Sequence, residues 1–176
     1  MSSRKDITKL ATATAKAIKA DVDKLALQPI EISNAAEYPV IHIILFKRYK
    51  RDYIERVVNQ INRAYKDTCY DACAVMMRRL LETLIIELYE NKQLEQKIKD
   101  PATGEFKMLE ALISTIKNET AFSVDRNSKR AMDNIKTLGD RSAHNRRFNA
   151  NRDDIDKVRD DLRVVVGELL GLAGVA

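Results

Sequence analysis

The sequence predicts an all-α protein, a five- to six-helix up-down bundle. Three observations carry that expectation. Apolar residues recur every three or four positions over most of the chain, the spacing of one helix face. Only five glycines and three prolines occur in 176 residues, which leaves little material for the tight turns of a β-protein. Tryptophan is absent and aromatics make up 6%, which argues against a β-sandwich. A hydrophobic share of 45% against 32% charged is globular composition and excludes a disordered chain.

Residues 4–26 read as the first helix. Ile7, Leu10, Thr14, Ile18, Val22 and Leu25 fall at helical spacing, Ser2 or Ser3 can cap it, and Gln28-Pro29 stops it. Coming first and joined by a loop, it is the kind of arm that docks on a partner subunit. Residues 28–39, with Pro29, Asn34, Pro39 and no period, are a connector. "VIHIILF", residues 40–46, leaves two readings open, a short buried strand or the first turns of a helix starting at Pro39. His42 inside this apolar run is expected to be a packed core residue bonded to a carbonyl.

"KRYKRDYIERVVNQINRAYKD" follows as an amphipathic helix, with Ile54, Val57, Val58, Ile61, Ala64 and Tyr65 on its apolar face. Its entrance interleaves Lys47, Arg48, Lys50 and Arg51 with Tyr49 and Tyr53, a pattern that suits phosphates and bases. A solvated helix entrance is the more economical reading. Residues 69–91 form the most apolar helix. Cys73, Met76, Met77, Leu80, Leu81, Leu84, Ile85 and Leu88 cover more than one stripe, so the helix is central in the bundle or shared with a second subunit. Arg78, Arg79 and Glu82 interrupt it; Arg78 and Glu82 fall one turn apart, so an intrahelical pair accounts for them cheaply, and a charge cluster facing a site is the sharper reading. Cys69 and Cys73, with two scattered histidines, make no zinc set and read as buried thiols of a reducing cytoplasm.

"DPATGE", residues 100–105, is a turn. Phe106, Leu109, Leu112, Ile113 and Ile116 predict a helix over 106–117; Ala131, Met132, Ile135 and Leu138 predict another over 129–138. Asn151 caps the last helix, with Asp153 and Asp154 in its first turn and Ile155, Val158, Leu162, Val165, Val166, Leu169 and Leu170 on its apolar face. The terminal "GLAGVA" is expected to fray. The organisation is one domain, 1–176: a helix and connector over 1–45, then the bundle over 46–176. No apolar signal core and no run of about 20 apolar residues is present, so the expectation is a cytoplasmic protein without a membrane partner. No metal and no cofactor is expected.

The chemistry concentrates in "LGDRSAHNRRF", residues 138–148, of a chain whose formal charge is +5. If a helix runs through Gly139, then Lys136, Asp140, His144 and Arg147 share one face, and Asp140 is placed to hold the His144 imidazole. The glycine costs about 1 kcal/mol there relative to alanine, and lets another helix or a ligand approach the backbone. If the helix ends at Gly139, His144 lies in a basic loop.

"YDACAVMMRRLLETLI" and, about fifty residues on, "IKTLGDRSAH" together resemble a bacterial family of domains of unknown function. Its hallmark is an Arg-Arg-x-Leu-Glu helix followed by Arg-x-x-Gly-Asn-x-x-Ala-His. The resemblance covers about residues 50–172. That family looks like a branch of the HEPN superfamily (higher eukaryotes and prokaryotes nucleotide-binding). The resemblance implies a HEPN-like bundle, often dimeric, with the motifs of two subunits meeting. Many HEPN proteins are metal-independent ribonucleases of toxin–antitoxin, CRISPR or anti-phage systems, marked by an arginine, four to six residues, then a histidine. The histidine exchanges a proton as the 2′-hydroxyl attacks; the arginine neutralises the phosphate. On this pattern His144 and Arg141 are the candidate catalytic residues. Lys136, Arg146 and Arg147 are the candidate phosphate-binding residues, supported by Arg79, Glu82 and Asp140.

The sequence departs from the pattern in ways that weigh against cleavage. Gly139, Leu138 and Thr137 stand where the ribonuclease arginine would be. Lys136 replaces the branch's own arginine, losing the bidentate fork, and Asp140 replaces its asparagine. The expected function is therefore an RNA- or nucleotide-binding module of a prokaryotic defence, toxin or stress system, with endoribonuclease activity left open. The other reading is a non-catalytic structural or oligomerisation domain that regulates a partner protein. The expected partners are a second copy in a homodimer, RNA or a nucleotide, and a partner protein of such a system.

Overall fold

Helical periodicity becomes five helices among the described residues, 39–46 and 51–174, of the computed structural model: α1 (Asp52–Lys66), α2 (Tyr70–Asn91), α3 (Leu109–Lys117), α4 (Arg126–His144) and α5 (Arg152–Leu172). The expected helix over 4–26 and the entrance residues Lys47, Arg48, Tyr49 and Lys50 lie outside the described residues, as does the connector except Pro39. All the described residues belong to one compact unit. Among them no helix is long and apolar enough to cross a membrane.

α2 is the axis of the bundle. Its apolar side chains exceed one stripe because α1, α4 and α5 all pack on it, with α3 against a further part. Cys73, Met77, Leu80, Leu81, Leu84, Ile85 and Leu88 are buried there. The apolar surface that prompted the expectation of a homodimer is thus covered within one chain. α1 buries Ile54, Val57, Val58, Ile61 and Tyr65, and α5 buries the whole apolar face expected of it. A reciprocal capping box starts α5: Asp154 N donates to the Asn151 side chain at 3.2 Å and Asn151 N to the Asp154 side chain at 3.0 Å.

α1 and α2 both end without glycine. Thr68 and Gln93 adopt the left-handed conformation, each at φ 58°. After α1, the Cys69 amide reaches back to Ala64 O at 2.8 Å; after α2, the Leu94 amide reaches Tyr89 O at 2.8 Å. These are Schellman closures with Thr68 and Gln93 in the position that glycine usually takes.

Several expectations are corrected. Residues 40–46 are neither a strand nor the start of an α-helix. Val40 and Ile41 are buried in an irregular segment, and Ile43–Phe46 is one 3-10 turn. Side chains hold the segment in place of a ladder: Ile41 N donates to Asn62 Oδ1 at 3.1 Å, Asn62 Nδ2 donates to Ile41 O at 2.8 Å, and Arg163 donates to Pro39 O at 2.7 Å. The turn leaves His42 exposed rather than packed in the core. Cys73 is buried, which pushes its thiol up to about 12, but Cys69 is exposed ahead of α2. α3 starts at Leu109 rather than at 106: Phe106 forms an isolated bridge with Lys99, whose ammonium lies 5.3 Å from its ring. α4 starts earlier than expected, capped by Asp125, and runs through Gly139 to His144.

The link after α3 is fastened by a carboxylate. Glu119 Oε1 accepts from Lys97 Nζ at 2.7 Å and from the Thr120 and Ala121 amides at 2.8 and 2.9 Å, and its side chain is 2% exposed. The Lys97 hydrogen bond, then the Ala121 amide, outweigh burial and hold the carboxyl down at about 2. The buried Tyr89 hydroxyl, in turn, is pushed well above its usual range by burial and then by the Glu119 charge. A carboxyl lowered in the folded state stabilises fully above its ordinary value of 4.5, and that stabilisation is lost as pH falls toward about 2. Glu119→Gln is expected to cost about 1–2 kcal/mol at neutral pH, discounted because Lys97 is half-exposed, and to flatten the acid loss of stability over that window. Urea melts across the window check this; an equally steep acid dependence in the variant contradicts it.

Candidate functional site

The site is built where α4 crosses α2, and Gly139 sets the crossing. A Cβ added at Gly139 would lie 2.5 Å from Arg78 Cβ and 3.1 Å from Ala74 O. The close approach that the glycine allows is therefore to a helix. It brings Arg78 of α2 beside Asp140 of α4.

Arg78 Nε donates to Asp140 Oδ1 at 2.6 Å, and Lys136 Nζ donates to Asp140 Oδ2 at 2.7 Å. Lys136 Nζ also meets Glu110 Oε2 of α3 at 2.6 Å. Arg78 pairs with Glu82 at 3.6 Å, the intrahelical pair that the spacing predicts. Glu82, Arg78, Asp140, Lys136 and Glu110 thus form one chain of alternating charge across three helices. Partial burial pushes the Asp140 carboxyl up, but hydrogen bonds and charge from Lys136 and Arg78 outweigh it and hold the carboxyl below its usual range. The Asp140 hydrogen bond, followed by that of Glu110, raises Lys136 above an ordinary lysine.

An open groove of about 770 Å³ lies against this network. Arg78, Lys136 and Asp140 form one part of its lining, and Met108, Leu109 and Glu110 at the start of α3 another. Arg141, His144, Asn145 and Arg146, from the end of α4 and the turn beyond it, complete the lining.

The structure brings most of the expected site residues together. His144 is exposed at the last position of α4, Arg141 one turn before it, and Arg146 in the following turn. The Arg141 guanidinium stacks 4.0 Å from the Phe148 ring centroid. Arg141 and His144 also suit the negative end of the α4 dipole. The side chains of His144, Arg146 and Arg147 make no hydrogen bond or ion pair among the described residues.

Other placements differ from expectation. α4 ends at His144, so Arg147 is not on the expected helix face and does not line the groove. Both Asp140 oxygens are taken by Arg78 and Lys136, and no hydrogen bond joins Asp140 to His144. Arg79 is exposed; lying about 100° round the helix from Arg78, it takes no part in the network. Glu82 supports the site only through Arg78. Sequence reasoning missed Arg78 as the residue that grips Asp140, and Glu110, Met108 and Asn145 as lining. For Arg78 the signal was present: Gly139 implied a close helix contact, and the Arg-Arg motif lay on the most buried helix.

Among the described residues no group of three or more His, Cys, Asp or Glu side chains could hold a metal ion. What the arrangement offers is hydrogen-bond donors and positive charge beside an open groove. No curated protein and no solved structure matches the chain. A family described as a domain of unknown function, DUF4145, matches residues 59–172. That span runs from within α1 to the end of α5 and takes in Arg78, Gly139, Asp140 and His144. Because the match covers more than half of the chain, this protein belongs to the DUF4145 family.

Proposed function

We propose that the protein is a HEPN-like module that binds single-stranded RNA or a nucleotide in the groove at the end of α4, and that it binds without cutting. One observation carries the reading. Arg141, His144 and Arg146 converge on an open groove with no carboxylate of the described residues paired to them, whereas Arg78 and Lys136 beside them are ion-paired. Guanidinium groups match phosphate oxygens through paired hydrogen bonds. The exposed face of Arg141, already stacked on Phe148, also suits a base. Binding rather than cleavage is supported by Asp140, which is neutralised by Arg78 and Lys136, so that among the described residues His144 has no carboxylate to orient it. The setting in a prokaryotic defence, toxin or stress system rests on the HEPN resemblance.

The test is fluorescence anisotropy of a labelled single-stranded oligoribonucleotide in EDTA. Three phosphate contacts should weaken binding roughly 20-fold between about 50 and 200 mM salt, with the RNA intact. Absence of binding at the low-salt end contradicts the proposal, and cleavage in EDTA contradicts its non-catalytic part.

A further inference from the structure

We infer that Glu110 is an internal stand-in for the ligand's phosphate: it occupies Lys136 in the unbound protein and yields it when an anion enters the groove. This rests on the reading that the groove takes phosphate. Lys136 Nζ lies 2.6 Å from Glu110 Oε2 and 2.7 Å from Asp140 Oδ2. The two carboxylates are not equivalent. Asp140 is gripped a second time by Arg78, and its side chain is 31% exposed. Glu110 has Lys136 as its one ion-pair partner among the described residues, and its side chain is 78% exposed. An ion pair with so solvated a carboxylate is the inexpensive one to break.

Geometry favours exchange at that position. Glu110 and Lys136 both line the groove that Arg141, His144 and Arg146 line. An ammonium has three donors, so Lys136 keeps Asp140 and turns the donor released by Glu110 to a phosphate oxygen. Arg78 continues to hold Asp140, so the helix crossing is undisturbed. Lys136 then joins Arg141 and Arg146 as a cation of the site, available only to a ligand anionic enough to displace Glu110. Phosphate competes with the carboxylate for one ammonium, and charge in the network stays balanced as one anion replaces another.

The probe is the same single-stranded oligoribonucleotide, titrated near 100 mM salt. Glu110→Gln is expected to bind it roughly threefold to tenfold tighter, with a salt slope steeper by up to about 0.7, because no freed carboxylate takes a cation back as Lys136 turns to phosphate. Lys136→Met retains the Arg78–Asp140 pair, and its melting temperature reports that it folds. In that background Glu110→Gln is expected to change nothing. Glu90→Gln removes an equal charge from an exposed position twelve residues from Arg78 along α2, about 18 Å away, and is expected to alter affinity less than twofold. Wild-type binding that Glu110→Gln leaves unchanged, or tightens equally with and without Lys136, overturns the exchange and leaves the RNA reading standing. Failure of both wild type and Glu110→Gln to bind overturns the two together.

Discussion

Gly139→Val is expected to destabilise the protein by roughly 2–4 kcal/mol by forcing apart the α2–α4 crossing. The first added carbon falls 2.5 Å from Arg78 Cβ and 3.0 Å from Arg78 Cδ, with the Ala74 carbonyl at 3.1 Å. Arg78 Cβ is fixed to its helix, so it cannot swing aside as the tip of a side chain would. Relief requires the helices to part, which loosens the Arg78–Asp140 pair at 2.6 Å. Alanine at the same site gains about 1 kcal/mol of helix propensity but loses about 1–3 kcal/mol to overpacking, so it is net destabilising. Gly167, in the middle of α5, is the control: nothing lies within 4 Å of an added Cβ there. Gly167→Ala is expected to stabilise by up to about 1 kcal/mol. Opposite signs in urea denaturation support the close crossing. Stabilisation by alanine at both glycines would show that α2 and α4 stand further apart.

The Arg141→Ala/Arg146→Ala double variant is expected to lose roughly tenfold to hundredfold in affinity for single-stranded RNA at about 100 mM salt. Two phosphate contacts disappear, so the salt slope should fall by about 1.4. Arg147→Ala should matter less, because Arg147 carries charge near the groove without lining it. Stability should change little, by about 0.5–1 kcal/mol for the lost stacking of Arg141 on Phe148. Unchanged affinity in a folded double variant would place RNA elsewhere on the protein.

Much of the fold was legible because long periodic segments specify their own burial. α5 keeps its cap at Asn151 and buries all of its expected face, and the multi-sided apolar pattern of α2 marked the centre of the bundle. The segment over 40–46 was not legible: seven residues carry no decisive period, and remote side chains of Asn62 and Arg163 fix its backbone. The site divides in the same way. Arg141, His144 and Arg146 are neighbours in sequence, so their clustering could be read directly. The grip on Asp140 could not. Helical spacing offers that residue a partner in either direction, Lys136 or His144. In the fold Lys136 takes one oxygen and Arg78, brought close by Gly139, takes the other, so neither is left for His144. Glu110 left no trace in the sequence at all, since its contact depends on how α3 leans toward α4.

The chain holds two histidines, His42 and His144, both exposed, and only the second lies at the groove. Their imidazole signals, followed by NMR during titration with single-stranded RNA in EDTA at low salt, test most directly where the ligand sits. With RNA in the groove, the His144 ring signals move and saturate with the RNA while those of His42 stay in place. RNA that binds while the His144 signals remain still would contradict that placement.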